Sequence, residues 1–336
     1  MKENHEKSPR PCVFARRILK QWPIRVALLL FILILLLMVA FFSRRPVILV
    51  TDRAFNVLYG VKRSRNKQFF LSVRLFRPIK TITMAEGAGP DLVAQGALSL
   101  SRRPFAVFFP YRYREAAWRY LTSRPDSPVV VLAGREIQDT SETGHNMLES
   151  AAIVPPLWIH TDSETDLYRA GVLAGIFVRY EKQNGENAGN WGDIVNQEIA
   201  LFHEGLNNEE ITAFIAGLEE QQWTGFPLYS PDLAETDLSC AVILDNFRFL
   251  PEVEVNSLIF FSWMDPALVP RKTIAIFDDS PWAQIGPVLD CMKQSRQNAL
   301  IPSEVIFFRG DKIQKDVYNE INKLKTLKKK VENADN

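Results

Sequence analysis

Cysteine is scarce in this chain of 336 residues, with three in all: Cys12, Cys240 and Cys291. None forms a C-x-x-C pair and no Cys/His spacing suits zinc, so neither a redox motif nor a zinc module is expected. Cys240 opens an apolar run and Cys291 falls in a predicted helix, so both read most simply as small core residues, with a Cys240–Cys291 disulfide as the alternative. Histidine is nearly as rare, four residues without paired spacing, which argues against a catalytic zinc. Charge of one sign is also lacking: 40 Lys+Arg face 39 Asp+Glu, a net +1. With no helix-turn-helix pattern, nucleic acid is not an expected partner. The phosphate-binding G-x-x-x-x-G-K-[ST] and the nucleophile elbow G-x-S-x-G do not occur. Gly87-Ala88-Gly89 opens a dinucleotide fingerprint, but Leu92 stands where its third glycine belongs. No cofactor and no metal are expected.

A long hydrophobic run is present. Val26 to Phe42 reads VALLLFILILLLMVAFF, and with Pro23 and Ile24 it approaches the ~20 residues that cross a ~30 Å hydrocarbon core. Lys2, Lys7, Arg10, Arg16, Arg17, Lys20 and Arg25 precede it, while Arg44, Arg45 and Arg53 follow more sparsely. This asymmetry keeps the N-terminus in the cytoplasm and carries the rest across the inner membrane. A cleaved signal peptide would end in small residues, whereas Phe41-Phe42-Ser43-Arg44-Arg45 is bulky and then basic. The expectation is an uncleaved single-pass anchor.

The remaining chain is organised around Leu258–Trp282, LIFFSWMDPALVPRKTIAIFDDSPW. Leu258–Phe261 and Thr273–Phe277 are short apolar runs that close in polar and aromatic residues, the pattern of strands buried on both faces. Further strands are expected at Val47–Thr51, Phe70–Phe76, Phe105–Phe109, Val129–Leu132, Leu157–His160, Glu198–Phe202, Cys240–Leu244 and Glu304–Phe308. Helical periodicity marks Ala54–Arg63, Asp91–Leu100, Arg112–Leu121, Thr165–Gln183 and Asn208–Gln222. Strands alternating with helices mean parallel βαβ units. Gly171 and Gly175 in the fourth of these helices predict close packing on a sheet. Gln138–Ala152 reads as a loop between halves, and Ile313, Val317, Ile321, Leu324, Leu327 and Val331 as the apolar stripe of a C-terminal helix.

Ligands of open α/β sheets collect at the carboxyl ends of strands, so polar and aromatic residues at strand exits are the candidates. They are Asp52, Tyr111, Arg112, Arg135, His203, Asp245, Trp263, Asp265, Asp279 and Trp282. Trp263, Trp282 or Tyr111 would stack on an apolar ligand face, and Asp52, Arg112, Asp245 or Asp279 would recognise polar groups. At each such position helix capping competes as the explanation, most plainly at Asp279-Ser280-Pro281. Asp278 and Asp279 do not make a hydrolase pair on a strand, since adjacent side chains point to opposite faces.

Two successive α/β halves after an export segment resemble the type I periplasmic binding protein superfamily, over roughly Pro46 to Gly310. Ile211–Glu219, ITAFIAGLE, is similar to a helix there with a Phe-Gly-Ala-Leu-like pattern. Leu157–Phe202 is similar to the strand–helix–strand passage into the second lobe, and Pro104–Pro110 to the strand after the second helix. The lipid-accepting Cys of the lipoprotein members is absent from the exit of the apolar run, and Asp278-Asp279-Ser280-Pro281-Trp282 matches no ligand motif of that superfamily. The resemblance implies an α/β fold of two Rossmann-like lobes with parallel sheets, clasping a ligand by hinge closure.

The expected division is 1–22, a basic cytoplasmic segment; 23–43, the anchor; 46–156, the first lobe; 157–300, the second lobe; and 301–336, a return strand with a C-terminal amphipathic helix. The expected function is a membrane-anchored, extracytoplasmic solute-binding protein, not an enzyme. Its ligand would be a sugar or nucleoside, and its partner a membrane permease or sensor protein. The alternative is a ligand-free scaffold on the same fold.

Overall fold

The computed structural model describes residues 12–55, 61–100, 103–135, 155–184, 199–203, 205–223, 227, 238–243, 255–261, 273–293 and 298–307. The described residues begin with helix α1 (Cys12–Ser43). Its segment Val26–Ser43 has a mean hydropathy of 3.2 and none of it is buried against the protein. Eighteen residues at ~1.5 Å each reach ~27 Å, enough to cross a membrane.

Two sheets follow. In the first, β1 (Val47–Asp52), β2 (Ile79–Met84), β3 (Ala106–Pro110), β4 (Val129–Gly134), β5 (Leu157–Thr161) and β10 (Asn298–Ile301) run in the order β10-β5-β4-β3-β1-β2, every pair parallel. In the second, β6 (Ile199–Phe202), β7 (Leu238–Ile243), β8 (Val255–Phe261), β9 (Thr273–Asp278) and β11 (Glu304–Phe307) run in the order β11-β9-β8-β7-β6. Only β11 is antiparallel to its neighbour in that sheet.

β1 is buried along its whole length because both faces of its sheet are covered. Val47 and Leu49 face α2 (Val61–Arg74) and α7 (Pro281–Lys293), meeting Leu71, Trp282, Ile285 and Val288. Ile48 and Val50 face α3 (Pro90–Leu98) and α4 (Arg114–Ser123), meeting Val93, Ala97, Ala117 and Tyr120. Each fully buried Leu, Ile or Phe contributes about 1.5–3 kcal/mol. The second sheet packs one face on α5 (Ser163–Asn184) and α6 (Asn208–Glu220), through Leu173, Phe177, Phe214 and Leu218. No disulfide joins Cys240 and Cys291, which lie at different cores, the second and the first.

Several expectations need correction. Phe70–Phe76 is not a strand: it falls on α2 and the turn after it, and β2 lies further on. The apparent alternation arose because Phe69, Phe70 and Val73 are exposed while Leu71 faces the sheet. β2 escaped notice because it is the edge strand, with a mostly exposed pattern. Gly171 faces α6 rather than a sheet: a Cβ there would stand 2.1 Å from the Phe214 carbonyl oxygen. Divisions at 156/157 and 300/301 do not follow the sheets, since β5 and β10 pair within the first. Among the described residues the chain crosses between sheets three times, at β5→α5, β9→α7 and β10→β11. The Gln138–Ala152 loop and the C-terminal helix lie outside the described residues.

Candidate functional site

β1, β2, β3 and β4 all end at one mouth. There a cavity of about 740 Å³ opens, within the range of small-molecule pockets. Its polar lining is Arg53, Glu86, Arg112, Asp279 and Gln284, and Phe55 and Leu132 supply apolar wall. Arg112 and Asp279 are the two expected residues that meet in it.

Asp52 lies behind the wall, fully buried. Its Oδ1 accepts the Phe55 N–H at 2.8 Å and its Oδ2 accepts the Tyr113 hydroxyl at 2.9 Å. Arg112 pairs with the same Oδ2 while its own side chain stays 45% exposed. Asp52 therefore orients Arg112 towards the cavity. Asp52→Ala should cost about 2–4 kcal/mol, because it strands a buried amide and hydroxyl. Arg112→Ala removes the cation paired with this fully buried carboxylate and should itself cost about 2–4 kcal/mol. Urea midpoints of the two variants check this; a loss under about 1 kcal/mol for either would contradict it.

The other expected residues go elsewhere. Tyr111 turns its ring edge to Trp158, 6.4 Å between centroids, with the Arg114 guanidinium 4.5 Å above it. Trp282 is 5% exposed and edges onto Phe55 in the first core, so its ring is packing and not a stacking platform. Gly134 has φ +65°, beside a register shift in β4, and this bulge re-aims Arg135. The Arg135 charge acts on Asp166 in α5. His203 follows β6, three strand spacings or roughly 14 Å from β9 across the second sheet. Its Nδ1 accepts the Leu206 N–H at 3.4 Å. Asp245, Trp263 and Asp265 lie outside the described residues.

Beside the cavity, the three crossovers are tied by buried polar groups that sequence reasoning missed. Ser303 donates through its N–H to Asp166 Oδ1 at 2.9 Å and through its hydroxyl to Oδ2 at 2.5 Å. Arg169 Nη1 donates to the Ser303 carbonyl at 3.3 Å and sits 3.8 Å from Asp166. Asp162 N–H donates to the Ile301 carbonyl at 3.1 Å, and Gln284 Nε2 to Thr161 Oγ1 at 3.4 Å. Asp278 Oδ1 accepts the Ser280 N–H at 2.9 Å, and its Oδ2 pairs with Lys67 of α2. Burial pushes the Asp166 carboxyl up to about 7, against the opposing pull of the Ser303 bonds, Arg135 and Arg169. Burial also lowers the Arg169 pKa, against Asp166 and Asp162. The only sequence signal was acidic residues in the first turn of α5, which capping alone explains.

No protein-family model matches the sequence, and no curated protein matches it. Solved structures do. An ABC transporter system solute-binding protein from Conexibacter woesei DSM 14684 superposes with a TM-score of 0.50 at 14% identity, over 84% of this chain and 95% of that one. A transcriptional activator of the comK gene from Bacillus halodurans gives 0.51 at 11% identity, over 83% and 95%. At these identities the likeness defines a fold. The chain has an α/β fold of two sheets like that of type I periplasmic binding proteins, preceded by one apolar helix. One of those structures is a binding protein and the other a regulator, so the fold by itself does not select an activity.

Proposed function

We propose that the chain is a membrane-tethered, extracytoplasmic protein that captures a small polar ligand, a sugar or a nucleoside, by closing its two lobes. The observation that carries this reading is the 740 Å³ cavity at the strand ends, with arginines, carboxylates and an amide on an otherwise apolar wall. Hydroxyls of a sugar or ribose suit such alternating donors and acceptors. Arg112 and Asp279 are the proposed first contacts, and Asp245, Trp263 and Asp265, beyond β7 and β8, the proposed opposite wall. Three polar crossovers supply a hinge. α1 enters at the start of β1 and the cavity lies at its end, six residues or ~20 Å away, so the mouth faces away from the anchor. The reading contains no catalytic step, and a permease or sensor in the same membrane would receive the closed form.

A thermal-shift screen of the detergent-solubilised full chain against sugars, nucleosides and amino acids tests it. At one hundred times Kd a ligand adds ~2.7 kcal/mol, a rise of several degrees. Arg112→Ala should abolish that rise, measured from the variant's own ligand-free Tm, which the unpaired Asp52 lowers. No rise with any compound would favour the scaffold reading, and a rise that survives Arg112→Ala would move the site.

A further inference from the structure

A second cavity among the described residues is lined mainly by apolar side chains. It measures about 970 Å³ and lies between the end of α1 and the exposed face of α2, bounded by Ile34, Leu37, Phe41, Phe69, Val73 and Phe76. Phe69, Phe70 and Val73 are 63%, 69% and 55% exposed, an apolar strip on a helix whose other face is already packed on the sheet. Contiguous exposed aromatics of this kind mark an interaction surface.

Two observations define what covers it. The first is charge. From Arg53 to Ala85 the sequence holds eight Lys and Arg residues and no Asp or Glu. Lys67 is engaged by Asp278, but Arg65 and Arg74 project from α2 beside the apolar strip. Arg44, Arg45 and Arg77 cluster at its foot, where Arg77 Nη1 donates to the Arg45 carbonyl at 2.8 Å. The Arg77 pKa is lowered, first by burial and then by the charges of Arg44 and Arg45.

The second observation is height. Phe41, two residues before the end of the apolar span, meets the Phe76 ring edge at 5.8 Å, and Arg44 lies 4.8 Å over the same ring. Leu37 is six residues before Ser43, ~9 Å along the helix axis. An interfacial amphipathic helix sinks ~5–10 Å into the headgroup boundary, so α2 sits at the depth such helices take.

We propose that α2 is a second membrane contact: Phe69, Phe70 and Val73 enter an anionic bilayer surface and Arg65, Arg74 and Arg77 meet its lipid phosphates, laying the first lobe on the membrane. This rests on α1 being the anchor. The second lobe then moves about the three crossovers while the first is held.

The test uses the full chain in nanodiscs of phosphatidylcholine alone or of an equimolar mixture with phosphatidylglycerol. A nitroxide is placed at Phe69→Cys, with Leu92→Cys on α3, 55% exposed, as the reference, in a Cys12→Ser, Cys291→Ser background. In the anionic discs the label at 69 should gain access to oxygen and lose access to a water-soluble nickel chelate, while that at 92 stays wet. Arg65→Gln and Arg74→Gln should each lower the docked-to-undocked ratio about fivefold, and high salt should act in the same direction. Hydrogen exchange across 64–75 in the unlabelled chain should slow in parallel. A label at 69 that stays wet in both discs, while the chain resists carbonate extraction, overturns the docking and leaves the anchor standing. Loss of carbonate resistance defeats the anchor and the docking together. Shielding in native membranes but not in lipid discs would assign the surface to a protein and overturn the lipid proposal.

Discussion

Gly217→Ala should destabilise the second lobe by about 3 kcal/mol or more, the upper part of what overpacking costs. A Cβ at Gly217 would stand 2.1 Å from the Tyr168 carbonyl oxygen and 2.8 Å from the Val172 nitrogen. Both are backbone atoms of α5, so only a shift of one whole helix relieves the clash. Gly171 presents the reciprocal contact to Phe214 and Leu218 of α6. The gain in helix propensity from glycine to alanine, about 1 kcal/mol, is too small to compensate. Gly96→Ala in α3 is the control: its nearest neighbours are Sδ and Cε of Met84, at 3.0 and 3.2 Å, the far end of a flexible side chain that can swing aside. Urea denaturation followed by circular dichroism should rank Gly217→Ala and Gly171→Ala well below Gly96→Ala. A Gly217→Ala midpoint within error of wild type would show that the two helices do not approach as closely as described.

The second large effect is a pH dependence centred on Asp166. Burial pushes its carboxyl up to about 7 in the folded chain, against 3.8 for the solvent-exposed group, because burial disfavours the charge. Between those values the native state holds a proton that the unfolded state has released. Stability from this group is therefore complete below pH 3.8 and declines as pH rises to about 7. The interval amounts to at most about 4 kcal/mol, at ~1.36 kcal/mol per pH unit. Asp166→Asn should keep an acceptor for the Ser303 N–H and flatten the profile across that window. Asp166→Ala strands the Ser303 N–H and hydroxyl, a cost of about 2–4 kcal/mol at pH 5. That cost should shrink as pH rises towards 7 and level off above it, since wild type loses stability across that interval and the variant does not. Urea midpoints from pH 4 to 8 decide the matter: parallel profiles for wild type and Asp166→Asn would remove Asp166 as the titrating group.

Local pattern carried much of the architecture. The runs at Val47–Thr51, Val129–Leu132 and Thr273–Phe277 were legible because strands buried on both faces must be apolar throughout. β2 was not, because an edge strand satisfies no such demand and IKTITM reads as polar. α2 was mistaken for a strand because its phenylalanines face outward, against the rule that places them inside. At the site, Arg112 and Asp279 were identified from their places at strand exits, whereas Glu86 was overlooked together with the strand it follows. Asp52 was recognised as a strand-exit carboxylate, but not that its oxygens are occupied by Phe55, Tyr113 and Arg112.

What the residues alone determined is what short-range chemistry controls: an apolar helix long enough to span a membrane, buried parallel strands, and helices between them. What only the tertiary structure decided is which distant residues meet. Asp166 and Ser303 are 137 positions apart, and Lys67 and Asp278 are 211. No periodicity registers such pairs, because their partners arrive through strand order, and strand order is settled by how two sheets and their helices bury a common set of faces.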